Sequence, residues 1–174
     1  MRTLVTGGVR SGKSRHAEAL LGPGPATYVA PGPSPEDDGD PDWVARIAVH
    51  RARRPASWRT VESGHLAAAL READGPVLID CLGTWLTAVL DEAGWDSASV
   101  VLTATVEQQL AEVAESVRAH AHDVVLVTNE VGLGVVPEHR SGRLFRDLLG
   151  TANQRLAQVC DEVHLVVAGR VLRL

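Results

Sequence analysis

The sequence predicts an α/β fold: a mostly parallel sheet with helices on both faces and an antiparallel hairpin at its C-terminal end. Three observations carry that prediction. Short β-rich runs alternate with helical patterns along the whole chain. Several of those runs are continuously apolar, as in Val77-Leu78-Ile79 and Val124-Val125-Leu126-Val127, which suits strands buried on both faces. The first run, Thr3-Leu4-Val5-Thr6, leads into a glycine-rich loop and then a helical pattern, the order expected of a nucleotide-binding unit. A chain of 174 residues is expected to form one domain with a proper core.

The loop after the first strand is Gly7-Gly8-Val9-Arg10-Ser11-Gly12-Lys13-Ser14, which meets the phosphate-binding pattern G-x-x-x-x-G-K-[ST] at every position. Lys13 is the only lysine, and the other 16 of the 17 basic residues are arginine. A compact ammonium on a flexible stem reaches between β- and γ-phosphates where a planar guanidinium is too wide. The loop N–H groups and the positive end of the helix over Arg15 to Leu21 would cradle the phosphates, with the Ser14 hydroxyl on Mg²⁺.

The remaining elements follow in order. Thr27-Tyr28-Val29-Ala30 reads as a second strand, and residues 31–42, with four prolines and five acidic residues, as an exposed mobile loop. Trp43 to Arg53 is a helix that stops at Arg54-Pro55, since the residue before proline resists α geometry. Arg59 to Glu62 is a third strand, Gly64 to Glu72 a helix, and Val77 to Asp80 a fourth strand. Helices are expected over Leu82–Leu90 and Ser97–His120, then a fifth strand over Val124–Thr128 and a helix over Leu144–Cys160. Val163–Ala168 and Val171–Leu174 form the terminal hairpin, turning at Gly169-Arg170.

Composition bounds the function. A net charge of −5 supplies no excess of cations for a nucleic-acid backbone. No apolar run approaches the roughly 20 residues of a membrane span, and the chain enters its first strand with no room for a signal peptide. Cys81 and Cys160 lack C-x-x-C spacing and read as reduced, buried cysteines of a cytoplasmic protein.

Asp80 closes the fourth strand where phosphate-loop proteins place the acid that holds Mg²⁺ through water, although a strand-end helix cap is the alternative. Asp80-Cys81-Leu82-Gly83 fits the D-x-x-G of GTPase switches, but the sole lysine leaves none for a base-reading N-K-x-D, which argues against a regulatory GTPase. Glu130 closes the fifth strand in the same way, at the sheet edge where ligands bind, with structural and functional roles both open. In the helix over Trp43 to Arg53, Trp43, Ile47 and His50 fall at i, i+4, i+7, so His50 lies near the apolar stripe. Alone it reads as a packed core histidine. Arg46, Arg51, Arg53 and Arg54 around it suit polyphosphate chemistry instead, binding phosphate oxygens and disfavouring ring protonation; a solvated face countered by the acidic loop is the alternative for these arginines.

These residues carry a family resemblance along the whole chain. Val5-Thr6-Gly7-Gly8 through Ser14-Arg15, Arg46-Ile47 with His50 and Arg54-Pro55, Trp58-Arg59-Thr60 with Glu62, and Cys81-Leu82 all take part. Most specific is Val127-Thr128-Asn129-Glu130-Val131-Gly132-Leu133-Gly134-Val135-Val136-Pro137, followed by Arg143, Phe145-Arg146-Asp147 and Asn153-Gln154-Arg155. The chain resembles the bifunctional adenosylcobinamide kinase / adenosylcobinamide-phosphate guanylyltransferase of cobalamin nucleotide-loop assembly.

The resemblance implies a three-layer, RecA-like P-loop NTPase fold and a homotrimer. It implies two reactions at one site: phosphorylation of adenosylcobinamide by ATP or GTP, then transfer of GMP from GTP through a histidine–GMP intermediate, giving adenosylcobinamide-GDP and pyrophosphate. His50 occupies the matching position of the nucleophile, and Lys13 serves phosphate binding and catalysis. Nucleotide contacts carry over to Gly7, Gly8, Val9, Arg10, Ser11, Gly12, Lys13, Ser14, Pro31, Gly32, Pro33, Arg51, Ala52, Arg53, Arg54, Glu62 and Asp80, with Mg²⁺ on Ser14 and Asp80. Two departures stand out: Pro31-Gly32-Pro33 replaces small hydroxyl residues, leaving backbone contacts there, and the strand-four acid is Asp80 where relatives often have Glu.

Two rival readings share the phosphate loop. A monofunctional small-molecule kinase needs no nucleophilic histidine, and a non-enzymatic RecA-like nucleotide-dependent switch needs no small-molecule substrate.

Overall fold

In the computed structural model, the phosphate loop hangs from β1 (Arg2–Gly7), an inner strand with β5 (Val124–Val127) on one side and β6 (Glu162–Val167) on the other. The structure describes residues 1–32 and 41–174. With β2 (Thr27–Ala30), β3 (Arg59–Glu62), β4 (Val77–Asp80) and β7 (Arg170–Arg173), these strands make a seven-stranded sheet in the order β3-β2-β4-β5-β1-β6-β7. Every pairing is parallel except β6–β7. Because the strands are parallel, their carboxyl ends share one edge, and the loops leaving that edge bring Gly7, Ala30, Glu62 and Asp80 together.

Side chains alternate along each strand, so the sheet feeds two apolar layers. Leu4, Val77, Ile79, Val124 and Leu126 join the larger one, with α3 (Leu66–Glu72), α4 (Leu82–Ala93), α5 (Ser99–Ala119) and α6 (Arg140–Ala157) packed on that face. Trp85, Leu86, Leu90, Leu102, Leu110 and Leu149 are at most 2% exposed there. Val5, Tyr28, Leu78, Val125, Val127 and Val166 build the smaller layer with Ala17 of α1 (Lys13–Leu21) and Trp58. Coverage on both faces explains why these strands read as unbroken apolar runs.

The remaining helix, α2 (Pro41–Arg53), is different: none of its described side chains is buried, and Val44 and Val49 are exposed. Polar ties run from its C-terminal end. Arg53 donates to Glu18 of α1 at 2.9 and 3.3 Å, Arg51 pairs with Glu62 of β3, and Arg54 donates to Thr60 of β3 at 2.8 Å.

Several boundaries depart from the sequence reading. Pro41 and Asp42 belong to the first turn of α2 rather than to the loop; proline is suited there because its missing N–H is one of the helix's unpaired donors. The rest of the expected mobile loop, residues 33–40, lies outside the described residues, as do the side chains of Trp43 and Arg46. The sixth helix begins at Arg140, not Leu144, since its first turn, Arg140-Ser141-Gly142-Arg143, is polar and carries no apolar signal. Arg140 anchors that turn through the carbonyl of Ser97 at 2.7 Å and the hydroxyl of Ser99 at 3.1 Å. The same helix stops at Ala157, α4 continues past Leu90 to Ala93 before Gly94 turns the chain at φ 78°, and α3 starts at Leu66. The terminal hairpin turns at Ala168 (φ 50°) and Gly169 (φ 75°), one residue earlier than expected. That shift has a cause: the Gly169 N–H donates to the Ser11 carbonyl at 2.8 Å, so the turn buttresses the phosphate loop. Both cysteines are free, and each is half-buried rather than fully buried. Among the described residues no helix is long and apolar enough to cross a membrane.

Candidate active site

The phosphate loop takes the shape its glycines allow. Arg10 (φ 57°) and Gly12 (φ 97°) lie in the left-handed region, and the Ser11 N–H donates to the Gly8 carbonyl at 3.3 Å, closing the loop's turn. A Cβ on Gly7 would stand 2.4 Å from the Val166 carbonyl oxygen, so the strand-to-loop corner admits no side chain. Lys13 is 5% exposed and donates from Nζ to the Gly8 carbonyl at 3.2 Å. Beside the loop opens a cleft of about 740 Å³ lined by Arg10 to Arg15 and, from α2, by Asp42, Ala45, Val49, His50 and Arg53.

A second cavity of about 260 Å³ lies over the ends of β2, β3 and β4. It is lined by Tyr28, Gly32, Arg51, Arg54, Glu62 and Asp80 together with Gly83, Thr84, Thr87, Asn129 and Phe145. His50 is the residue that lines both spaces. It is no core histidine: its side chain is 19% exposed in the wall between them. The ring's Nδ1 lies 3.7 Å from Asp80 Oδ2 and 3.5 Å from Arg53 Nη2.

Charge is concentrated around that ring. The Asp80 side chain is only 8% exposed, and its Oδ2 accepts no hydrogen bond among the described residues. Arg54 stacks on the buried ring of Tyr28 at 3.5 Å from its centroid. Burial pushes the Tyr28 hydroxyl well above its ordinary range, with Asp80 adding to the shift and Arg54 opposing it. Burial also works against the Arg54 charge, while Tyr28, Glu18 and Asp80 favour it.

Most sequence-derived site residues meet here. Arg10, Ser11, Gly12, Lys13, Ser14 and Arg53 line the cleft; Gly32, Arg51, Arg54, Glu62 and Asp80 line the cavity; His50 lines both. Gly7, Gly8 and Val9 shape the loop without lining either space, and Val9 points outward at 70% exposed. Pro31 is buried and Ala52 exposed, and neither lines a wall; Pro33 lies outside the described residues. Glu130 also stands apart. Its carboxylate accepts the Gly132 N–H at 3.0 Å and its own N–H donates to the Gly7 carbonyl at 3.1 Å, which is a turn-shaping role. Arg51 and Arg53 of α2 are countered by Glu62 and Glu18.

Two residues of the cavity lining, Thr84 and Thr87, escaped sequence reasoning. Thr84 and Thr87 stand one turn apart at the start of α4, a spacing that signals a shared face, but no motif singles them out. Asn129 follows β5 and Phe145 lies one turn into α6; both belong to the stretches that carry the family resemblance, and the fold brings them to the cavity that Tyr28 also lines.

The residues fit a hard divalent cation. Ser14 offers a hydroxyl and Asp80 a buried carboxylate oxygen with no hydrogen-bond donor, and no cluster of three or more His, Cys, Asp or Glu among the described residues competes as a site. Mg²⁺ takes few protein ligands and completes its shell with phosphate and water.

Comparison with known proteins follows the same lines. The family model described as cobinamide kinase / cobinamide phosphate guanyltransferase matches residues 3–174. The chain is 45% identical to the bifunctional adenosylcobalamin biosynthesis protein CobU of Salmonella typhimurium and 44% identical to that of Escherichia coli, covering 97% of each chain in both cases. It is 40% identical to the bifunctional adenosylcobalamin biosynthesis protein CobP of Pseudomonas aeruginosa, over 97% of this chain and 94% of that one. Among solved structures, a prototypical ATPase from the type III secretion system of pathogenic bacteria aligns at a TM-score of 0.51 and 10% identity, over 94% of this chain and 50% of that one. The chain thus spans half the length of that ATPase, and the likeness is one of fold.

Proposed function

The chain belongs to the cobinamide kinase / cobinamide phosphate guanyltransferase family, and from that membership we propose how its site performs both reactions. The protein is a bifunctional transferase of cobalamin biosynthesis. It phosphorylates adenosylcobinamide with ATP or GTP and then transfers GMP from GTP to adenosylcobinamide phosphate. The observation that supports this assignment of residues is the place of His50, on the wall shared by the phosphate-loop cleft and the smaller cavity. A triphosphate with its β- and γ-phosphates on Lys13 and the loop amides, and its nucleoside between Tyr28, Glu62 and Asn129, crosses that wall at the α-phosphate.

In the kinase step the substrate hydroxyl attacks the γ-phosphorus and loses its proton, and the bond to the β,γ-bridging oxygen breaks, releasing the nucleoside diphosphate. Lys13 and the loop N–H groups neutralise the developing charge. In the second reaction a lone pair on His50 attacks the α-phosphorus and the bond to the α,β-bridging oxygen breaks, so pyrophosphate leaves with those electrons. The phosphate of adenosylcobinamide phosphate then attacks the same phosphorus and frees the ring. Ser14 and Asp80 would hold Mg²⁺, which would supply charge neutralisation on the phosphate oxygens. Arg51 and Arg53 stand ready for phosphate contacts at the cost of their pairs with Glu62 and Glu18.

The same reading makes the protein a cytoplasmic homotrimer that acts on small molecules and not on nucleic acid; the family resemblance supports the first part and the net charge of −5 the second. Incubation with α-labelled and γ-labelled GTP in parallel tests the assignment. The expected result is acid-labile, base-stable α-label on His50 and γ-label on added adenosylcobinamide. Label transfer to adenosylcobinamide with no α-label on the protein would leave a kinase alone.

A further inference from the structure

Resting on the reading that the acceptor is adenosylcobinamide, we propose that residues 131–136 are the docking surface for its corrin ring. The stretch Val131-Gly132-Leu133-Gly134-Val135-Val136 holds no charged residue. Its four aliphatic side chains stand in solvent, from 36% exposed at Val131 to 94% at Val135. Single apolar residues on a surface need no explanation, but four within six residues form a patch of the kind that marks a binding site.

The exposure is not that of a slack loop, because the backbone beneath these side chains is tied at both ends. The Glu130 N–H donates to the Gly7 carbonyl at 3.1 Å, and the Gly132 N–H donates to the Glu130 carboxylate at 3.0 Å. Arg146 of α6 donates to the Gly132 carbonyl at 2.5 Å, while Arg143 donates to the carbonyls of Pro137 at 3.2 Å and Glu138 at 2.5 Å. A Cβ on Gly142 would stand 2.9 Å from Pro137 Cβ, so α6 runs close beneath the end of the loop. The polar groups of the backbone are spent inward, and the aliphatic side chains are left outside.

Position and chemistry identify the occupant. β5 lies between β1 and β4, so the loop leaves the carboxyl edge between the phosphate loop and Asp80. It begins just after Asn129, and the helix that ties it carries Phe145; both residues line the smaller cavity. The surface is therefore continuous with the site where the acceptor must react. A corrin ring has broad methyl-bearing faces and carries its reacting hydroxyl on a flexible side arm. The ring can rest on the aliphatic patch while the arm enters the site, first as the alcohol and then as the phosphate. Four side chains are few for a stable subunit interface, which takes roughly 20–30 residues a side, but they suit one face of a single macrocycle.

Two variants test this: Leu133→Ser/Val135→Ser, which removes the apolar surface, and Gly134→Glu, which adds a charge where a Cβ meets nothing within 4 Å. Adenosylcobinamide binding is read by equilibrium dialysis through its visible absorbance. The same proteins are assayed for γ-transfer with varied acceptor, for protein–GMP formation from α-labelled GTP without acceptor, and for sedimentation velocity. In each variant the acceptor Kd and KM are expected to rise at least about tenfold, with kcat within about threefold of wild type. Protein–GMP formation and sedimentation should match wild type, since neither uses the acceptor. An acceptor Kd unchanged in both variants overturns the proposal. So does a variant that sediments as a smaller species than wild type, which would make the patch a contact between copies of the chain. An equal fall in protein–GMP formation also overturns it, making the loop a support of the nucleotide site. Wild-type protein that neither binds nor phosphorylates adenosylcobinamide would overturn the reading of the acceptor and this proposal together; wild-type protein that does both, with indifferent variants, overturns this proposal alone.

Discussion

His50 Nδ1 lies 3.7 Å from Asp80 Oδ2, joining the last turn of α2 to the end of an inner strand. The pairing places a nucleophile-type ring beside a carboxylate that is 8% exposed. It also makes the two residues separable by mutation, because one is proposed to act in guanylyl transfer and the other to hold the metal in both reactions.

His50→Ala should abolish the α-labelled adduct and lower guanylyl transfer by several orders of magnitude, while γ-transfer to adenosylcobinamide survives at least in part. Since the ring is partly exposed in a cavity wall, melting should change little. A packed core histidine would instead cost roughly 1–3 kcal/mol and depress both reactions together. Paired activity assays and a melting curve decide between these outcomes.

Asp80→Asn keeps the shape of the side chain and removes its charge. The apparent Mg²⁺ affinity should weaken about 10- to 100-fold, visible as a rightward shift in metal titrations of γ-transfer. An unmoved titration would leave Asp80 as a strand-end residue with no part in metal binding.

Lys13→Ala should eliminate both activities in a folded protein. Losing a charge-assisted phosphate contact costs about 1.5–3 kcal/mol in binding, with a further loss in the transition state. Calorimetric titration with GTP and both assays measure the two parts, and near-normal turnover would overturn the placement of the triphosphate.

Gly7→Ala tests the corner between β1 and the loop. The added methyl would meet the Val166 carbonyl oxygen at 2.4 Å and Ser11 Oγ at 2.8 Å, and the first of these is backbone that cannot swing away. Destabilisation of roughly 1–3 kcal/mol is expected, about 2–4 °C of melting temperature for each kcal/mol, together with weakened GTP binding. Ala at Gly8, where a Cβ meets nothing within 4 Å, is the control.

The cysteines should differ towards iodoacetamide. Burial, with Asp161 nearby, pushes the Cys160 thiol up to about 12, so its thiolate is scarce at pH 8 and its alkylation should accelerate only as pH rises towards that value. Cys81 lines the smaller cavity, and saturating GTP should slow its modification. Mass spectrometry of the alkylated protein with and without GTP reads both, and a Cys81 rate unaffected by GTP would place the nucleotide elsewhere.

Much of the fold was legible because its signals are local. Continuous apolar strands marked a sheet covered on both faces, and Thr27–Ala30, Arg59–Glu62 and Val77–Asp80 form strands with the bounds read from the chain. The phosphate loop was legible for the same reason: its glycines, lysine and serine fall in one short stretch, so their spacing alone marks it. The family resemblance then pointed to His50, Glu62 and Asp80. What local pattern could not show was where polar turns begin, so the sixth helix was read from Leu144 although Arg140 opens it. Nor could it show that the terminal hairpin turns early, because that depends on Gly169 reaching Ser11.

Tertiary structure alone decided that His50 is not a packed core residue, its side chain being 19% exposed. Periodicity put the ring near an apolar stripe, which is equally the signature of a core residue. Its environment depends on the strand order β3-β2-β4-β5, which sets Glu62, Tyr28, Asp80 and Asn129 at one edge though they are far apart in the chain. Helix packing on the sheet likewise brought Thr84, Thr87 and Phe145 to the cavity. Sequence determines a residue's chemistry and its neighbours one turn away; packing of the parallel strands determines what that chemistry faces.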